Sequence, residues 1–88
     1  MVINTFAVCA LRDNYIWVMQ CGDSTIVVDP GESRACLAFL KSRQLSPTHI
    51  FITHHHHDHT GGLGDVAAAY PDALIYGPEL AFMPQGYR

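Results

Sequence analysis

One transition constrains this chain more than any other. The strand-like run His49-Ile50-Phe51-Ile52-Thr53 passes directly into His54-His55-His56-His57-Asp58-His59. A run of that composition reads as a buried strand, so the histidines begin where the strand must end and a surface loop must start. Five of the six histidines in the chain lie in this loop. Loops at the carboxyl ends of strands in α/β sheets are where ligand sites are built. The expectation is an α/β fold with its chemistry concentrated at one sheet edge.

The flanking sequence supplies the rest of such a sheet. Residues 2–9 and 14–20 are rich in β-branched and aromatic residues and read as two strands joined through Leu11-Arg12-Asp13-Asn14. Residues 24–28 form a third strand after the turn Cys21-Gly22-Asp23, which makes an antiparallel amino-terminal meander. Tyr15 and Trp17 alternate with Ile16 and Val18, so both faces are expected to be covered, with the aromatics packed in the core. Asp29-Pro30-Gly31-Glu32 breaks the third strand. Residues 33–45 then carry Cys36, Phe39 and Leu40 at helical spacing, with Glu32 near the start and Lys41 and Arg43 near the end, as the helix dipole favours.

Ser46-Pro47 stops that helix, and residues 48–53 form the next strand. Strand, crossover helix and strand make a parallel pair with a right-handed connection. Leu63, Val66, Ala67 and Tyr70 stand at i, i+3, i+4 and i+7, which predicts a short amphipathic helix ended by Pro71-Asp72. Residues 73–76 are a further strand, closed by Gly77-Pro78. The predicted fold class is thus α/β, a mixed sheet whose antiparallel amino-terminal strands are followed by strand-helix-strand units.

Composition narrows the function. A chain of 88 residues holds one domain at most, and small domains bury only about 60% of the surface their unfolded chains expose. Charged residues make up 15%, against roughly 25% in soluble domains, so this chain is expected to be largely buried or to pack against something more. The formal charge is −3, and the basic residues Arg12, Arg34, Lys41, Arg43 and Arg88 are scattered. No basic patch exists to neutralise phosphates, and nucleic acid is not an expected partner. No apolar run approaches the ~20 residues that span a bilayer, and the N-terminus has no positive segment ahead of its short apolar stretch. The expected location is the cytoplasm, without a membrane partner. Cys9, Cys21 and Cys36 are odd in number and form no C-x-x-C pair, so they read as reduced, partly buried thiols rather than metal ligands.

The loop itself has the chemistry of a metal site. In an extended segment alternate residues point the same way, so His54, His56 and Asp58 converge while His55 and His57 point elsewhere. A turn into the following helix near Asp58 would bring His59 back to the same pocket. Imidazole and carboxylate donors without thiolate suit zinc, iron or manganese alike. A purification tag would lie at a terminus, whereas this run is embedded between patterned elements. Isolated His49 reads as structural. Gly61 and Gly62 allow close backbone approach and positive φ where the loop enters the helix. Asp29, at the carboxyl end of the third strand, would lie at the same sheet edge. It either anchors the loop, orients a ligand histidine, or is simply a turn residue before Pro30-Gly31.

The segment from Thr53 to Gly62 resembles the T-H-x-H-x-D-H-x-G-G signature of the metallo-β-lactamase superfamily. The segments Asp13-Asn14-Tyr15-Ile16-Trp17-Val18, Val28-Asp29-Pro30-Gly31 and Ile75-Tyr76-Gly77 resemble its hydroxyacylglutathione hydrolase (glyoxalase II) branch. This resemblance implies an αββα sandwich of which residues 1–88 form the amino-terminal part, and two divalent metal ions, zinc foremost with iron or manganese possible alternatives. It implies that His54 and His56 bind one metal and Asp58 and His59 the other, that Asp58 also orients the attacking water, and that Asp29 supports the site without ligating. The implied reaction is hydrolysis of an S-(2-hydroxyacyl)glutathione to glutathione and a 2-hydroxy acid. The family's remaining ligands and glutathione-gripping residues are expected downstream, so the chain is expected to be truncated on its carboxyl side, with that missing part or a partner chain covering the sheet. Other readings are a persulfide dioxygenase, a β-lactamase, an RNA-processing nuclease or a non-catalytic metal-binding fragment.

Overall fold

The antiparallel meander and the strand-helix-strand units both form. The computed structural model describes residues 3–10, 14–53 and 60–78. Its elements run β1 (Ile3–Ala10), β2 (Asn14–Cys21), β3 (Ser24–Val28), α1 (Ser33–Ser42), β4 (His49–Phe51), α2 (Leu63–Ala69) and β5 (Leu74–Tyr76). The strands lie side by side in chain order in one sheet. The β1–β2 and β2–β3 pairs are antiparallel, as tight turns require, and β3–β4 and β4–β5 are parallel across helical connections. Residues 11–13, where the first turn was expected, and everything from 79 onward lie outside the described residues.

One face of the sheet makes the core. Ile16, Val18, Val27, Ile50 and Ile75 are fully buried there, beneath Cys36 and Leu40 of α1 and Leu63, Val66 and Ala67 of α2. Both helices therefore seal the same face, and of the stripe expected on α2, Leu63, Val66 and Ala67 are buried while Tyr70, just past the helix end, is half-buried against the core. Burial pushes the Cys36 thiol up from its ordinary range to about 12, so it stays a neutral apolar group near pH 7. The three cysteines are free thiols, with Cys9 exposed rather than partly buried.

The opposite face corrects an expectation. Tyr15 and Trp17 are 51% and 45% exposed, not packed in a core. Strand alternation hands the inner face to Ile16 and Val18 and turns the aromatics outward, and among the described residues no helix or further sheet overlies them. The register sets Ala7, Trp17, Val28, Phe51 and Tyr76 side by side across all five strands. The result is a continuous apolar row on a face that no element among the described residues covers.

Helix α1 ends at Ser42, three residues earlier than the periodicity predicts, and the cause is local. Gln44 adopts a left-handed backbone (φ 56°). Its N–H donates to the Lys41 carbonyl at 3.1 Å, and the Leu45 N–H donates to the Leu40 carbonyl at 2.9 Å. Together these form a Schellman cap with Leu45 folded back toward the core. The Arg43 guanidinium lies over the rings of Phe6 and Phe39, 5.0 and 5.5 Å from their centroids, which ties the helix end to β1. A left-handed conformation is costly for any residue with a Cβ. Gln44→Gly is therefore expected to stabilise the fold by about 1 kcal/mol, read as a raised urea midpoint at unchanged slope. An unchanged or lowered midpoint would refute that account of the helix end.

Candidate metal centre

The parallel β3–β4 pair is closed at both ends by side chains. At its amino end, Thr48 Oγ1 accepts from the Thr25 N–H at 3.1 Å and donates to the Thr25 carbonyl at 3.0 Å, which satisfies the buried Thr25. His49 Nδ1 lies 2.9 Å from the same hydroxyl, and the ring stacks beside Phe51 and Tyr76. His49 thus sits on the outer face, away from the carboxyl edge of the sheet.

That carboxyl edge is where Asp29 acts. Its backbone N–H continues the ladder to the Phe51 carbonyl at 2.9 Å. Its left-handed conformation (φ 54°), which aspartate tolerates better than most residues, then turns the chain out of β3. The buried carboxylate accepts two hydrogen bonds from one residue: the Thr53 N–H at 2.8 Å to Oδ1 and the Thr53 hydroxyl at 2.6 Å to Oδ2. Bonds of this kind to an ionised acceptor are among the stronger ones in proteins. The residue immediately before His54 is thereby fixed to the end of β3.

The far side of the histidine loop returns to the same turn. The Gly62 N–H donates to the Pro30 carbonyl at 2.8 Å. A Cβ on Gly62 would lie 2.5 Å from the Ser33 nitrogen, 2.6 Å from the Glu32 carbonyl carbon and 2.7 Å from the Pro30 oxygen, all backbone atoms. Close backbone approach and positive φ were both expected at this glycine pair. Gly62 instead has φ −96°, and the reason for glycine is the close approach of two backbones. Positive φ occurs at Asp29 and Gln44, and among glycines at Gly22 in the β2–β3 turn.

The predicted ligands His54, His56, Asp58 and His59 lie outside the described residues, as do His55 and His57. Among the described residues no group of three or more His, Cys, Asp or Glu side chains comes together as a metal site. The six positions 54–59 carry five imidazoles and one carboxylate, a donor set that suits a borderline divalent metal, and the backbone on either side is fastened to Asp29 and Pro30. A cavity lined by Ser46, Pro47, Tyr70 and Asp72 lies among the segments that lead into the amino ends of β4 and β5, at the other edge of the sheet. Among the described residues no helix is long and apolar enough to cross a membrane.

Comparison with known proteins places this arrangement. Residues 10–88 match the family model of the metallo-beta-lactamase superfamily. The chain is 54% identical over 70 residues to a hydroxyacylglutathione hydrolase from Glaesserella parasuis, covering 80% of this chain and 30% of that protein. It is 46% identical over 69 residues to a hydroxyacylglutathione hydrolase from Tolumonas auensis, covering 78% and 27%. Among solved structures, the BLEG-1 B3 metallo-beta-lactamase superposes with a TM-score of 0.71 at 26% identity, over 85% of this chain and 36% of that one. A metallo-beta-lactamase from Staphylococcus aureus superposes with a TM-score of 0.68 at 22% identity, over 100% and 28%. The chain spans about a third or less of the length of these curated relatives.

Proposed function

The chain belongs to the metallo-beta-lactamase superfamily, and from that premise we propose that it is the amino-terminal, metal-binding part of a thioester hydrolase acting on S-(2-hydroxyacyl)glutathione. The observation that carries this reading is the segment from Thr53 to Gly62 in a chain so similar to two hydroxyacylglutathione hydrolases. The anchoring of that segment at both ends, through Thr53 and Gly62, supports it.

In this reading His54 and His56 hold one divalent ion and Asp58 and His59 a second, zinc being the first candidate. Bound metal would lower the pKa of water from 15.7 to about 7 and polarise the thioester carbonyl. Asp58 orients the attacking water, and Asp29 holds the loop from behind through Thr53. The leaving thiolate has a conjugate pKa of about 8.5 and needs little help from a general acid. A catalytic zinc takes about three protein ligands, so two ions call for more donors than this loop carries. The remaining ligands and the glutathione-binding residues come from sequence outside these 88 residues. That same sequence covers the exposed row around Trp17 and Phe51, completing an αββα sandwich. A cytoplasmic location accords with the three free thiols.

The test is an assay of the full-length protein against S-lactoylglutathione, a glutathione persulfide and a β-lactam. Thioester turnover should dominate, fall more than about a hundredfold on chelation and return when zinc is restored. Turnover of the persulfide or the lactam in its place would assign the protein to another branch of the superfamily, and turnover that survives chelation would remove the metal from the reaction.

A further inference from the structure

The sheet has two edges, and they are not alike. Strand β5 forms one with three residues, Leu74–Tyr76, and so short an edge offers little for another chain to pair with. Strand β1 forms the other with eight residues, Ile3–Ala10, and among the described residues it is bonded on its β2 side alone. Soluble proteins blunt an open edge of that length with charged side chains, prolines or bulges. The sequence of β1, Ile3-Asn4-Thr5-Phe6-Ala7-Val8-Cys9-Ala10, holds no charge and no proline. Its register with β2 runs one-to-one from Ile3 opposite Cys21 to Ala10 opposite Asn14, so no bulge turns it aside. Thr5, Ala7 and Cys9 are all exposed along it.

We propose that β1 is a self-association edge, pairing antiparallel with β1 of a second copy of this chain across a two-fold axis at Ala7. A second copy fits because a two-fold needs only one self-complementary strand, and an uncharged strand meets no like charge on its own image. The axis follows from the faces. Residues opposite each other in a ladder project to the same side, and a slip of one residue would swap the sides. The axis therefore falls on a residue near the middle of the strand, Phe6 or Ala7. At Phe6 it would set that ring against its copy and draw together two Arg43 guanidinia, each 5.0 Å from its Phe6 centroid. At Ala7 it sets Thr5 opposite Cys9, Phe6 opposite Val8 and Asn4 opposite Ala10, with no charge in the ladder. The two sheets then run on as one, with the helices of both copies on the same side. Strand direction reverses across the axis, so the Asp29 ends of the two β3 strands point opposite ways and each stays open. A contact one strand deep belongs to the weak, transient class. The proposal does not draw on the metal reading.

The test is sedimentation equilibrium of the full-length protein under reducing conditions, at concentrations up to about 1 mM. The parent should pass from monomer to dimer. Thr5→Lys/Cys9→Lys and Thr5→Glu/Cys9→Glu, which oppose like charges in both Thr5–Cys9 pairs, should each stay monomeric, and their equimolar mixture should dimerise within about tenfold of the parent's Kd. A parent that stays monomeric throughout overturns the proposal, as do charged variants that dimerise like the parent or a mixture of folded variants that does not recover. Where the charged variants fail to fold, cysteine scanning decides. On oxidation with diamide, the new thiol of Thr5→Cys should bond to Cys9 of the second copy and give a covalent dimer that is lost when Cys9→Ser is added. Ile3→Cys, which would face Cys9 only with the axis at Phe6, should give none. Absence of the Thr5→Cys dimer, or its appearance with Ile3→Cys instead, overturns the pairing.

Discussion

Replacing His54 or Asp58 by alanine in the full-length protein is expected to lower thioester turnover by more than about a hundredfold and to lower bound metal in parallel. Each removes a proposed donor, and a site short of one donor loses more than a site short of a supporting contact, which already costs 10- to 100-fold. The control lies in the same loop. His55 and His57 fall between the convergent positions if the segment is extended, so His55→Ala and His57→Ala should stay within a few-fold of the parent. The measurements are kcat/KM on S-lactoylglutathione and metal content of the purified variants. Retention of activity within about tenfold in His54→Ala or Asp58→Ala would sink the ligand assignment. Loss in all four variants would show that alternation does not describe the loop.

The contrast among these histidines shows what the sequence could and could not convey. The proposed ligand set rests on residue type and spacing at positions 54–59 and on the resemblance alone, because those positions lie outside the described residues. The frame that carries them was legible in outline. Leu63, Val66 and Ala67 are buried as their spacing required, and β3 and β4 are parallel as a crossover helix demands. The details decided by tertiary contact were not legible. Nothing in Gln44 announces a left-handed residue, since its conformation follows from Leu45 folding back over Leu40. Gly62 was singled out for close backbone approach and for positive φ; the first is what the structure uses, against Pro30 and Ser33, and the second is absent there. Trp17 was expected in the core because a strand apolar on both faces shows that both are suited to burial, not that both are covered within these residues.

Strand β4, two-faced in the same way, yields the largest expected effect on stability. Ile50 lies at the centre of β4, fully buried between Val27 of β3 and Ile75 of β5, so Ile50→Ala should destabilise the full-length protein by about 2–5 kcal/mol through lost transfer energy and the cavity left behind. Its neighbour Phe51 points the other way and is 38% exposed in the 88-residue chain, where Phe51→Ala has less burial to lose than Ile50→Ala. If the remainder of the domain covers the outer face, that exposure vanishes in the full-length protein, and Phe51→Ala should cost about 3–5 kcal/mol, as for other buried aromatics. Urea unfolding of both variants in both lengths makes the comparison. Ile50 should be costly in each, and Phe51 clearly more costly in the longer protein than in the shorter. A Phe51→Ala cost below about 1 kcal/mol in the full-length protein would mean that the row from Ala7 to Tyr76 is not sealed by the rest of that chain, and the proposed sandwich would have to be abandoned.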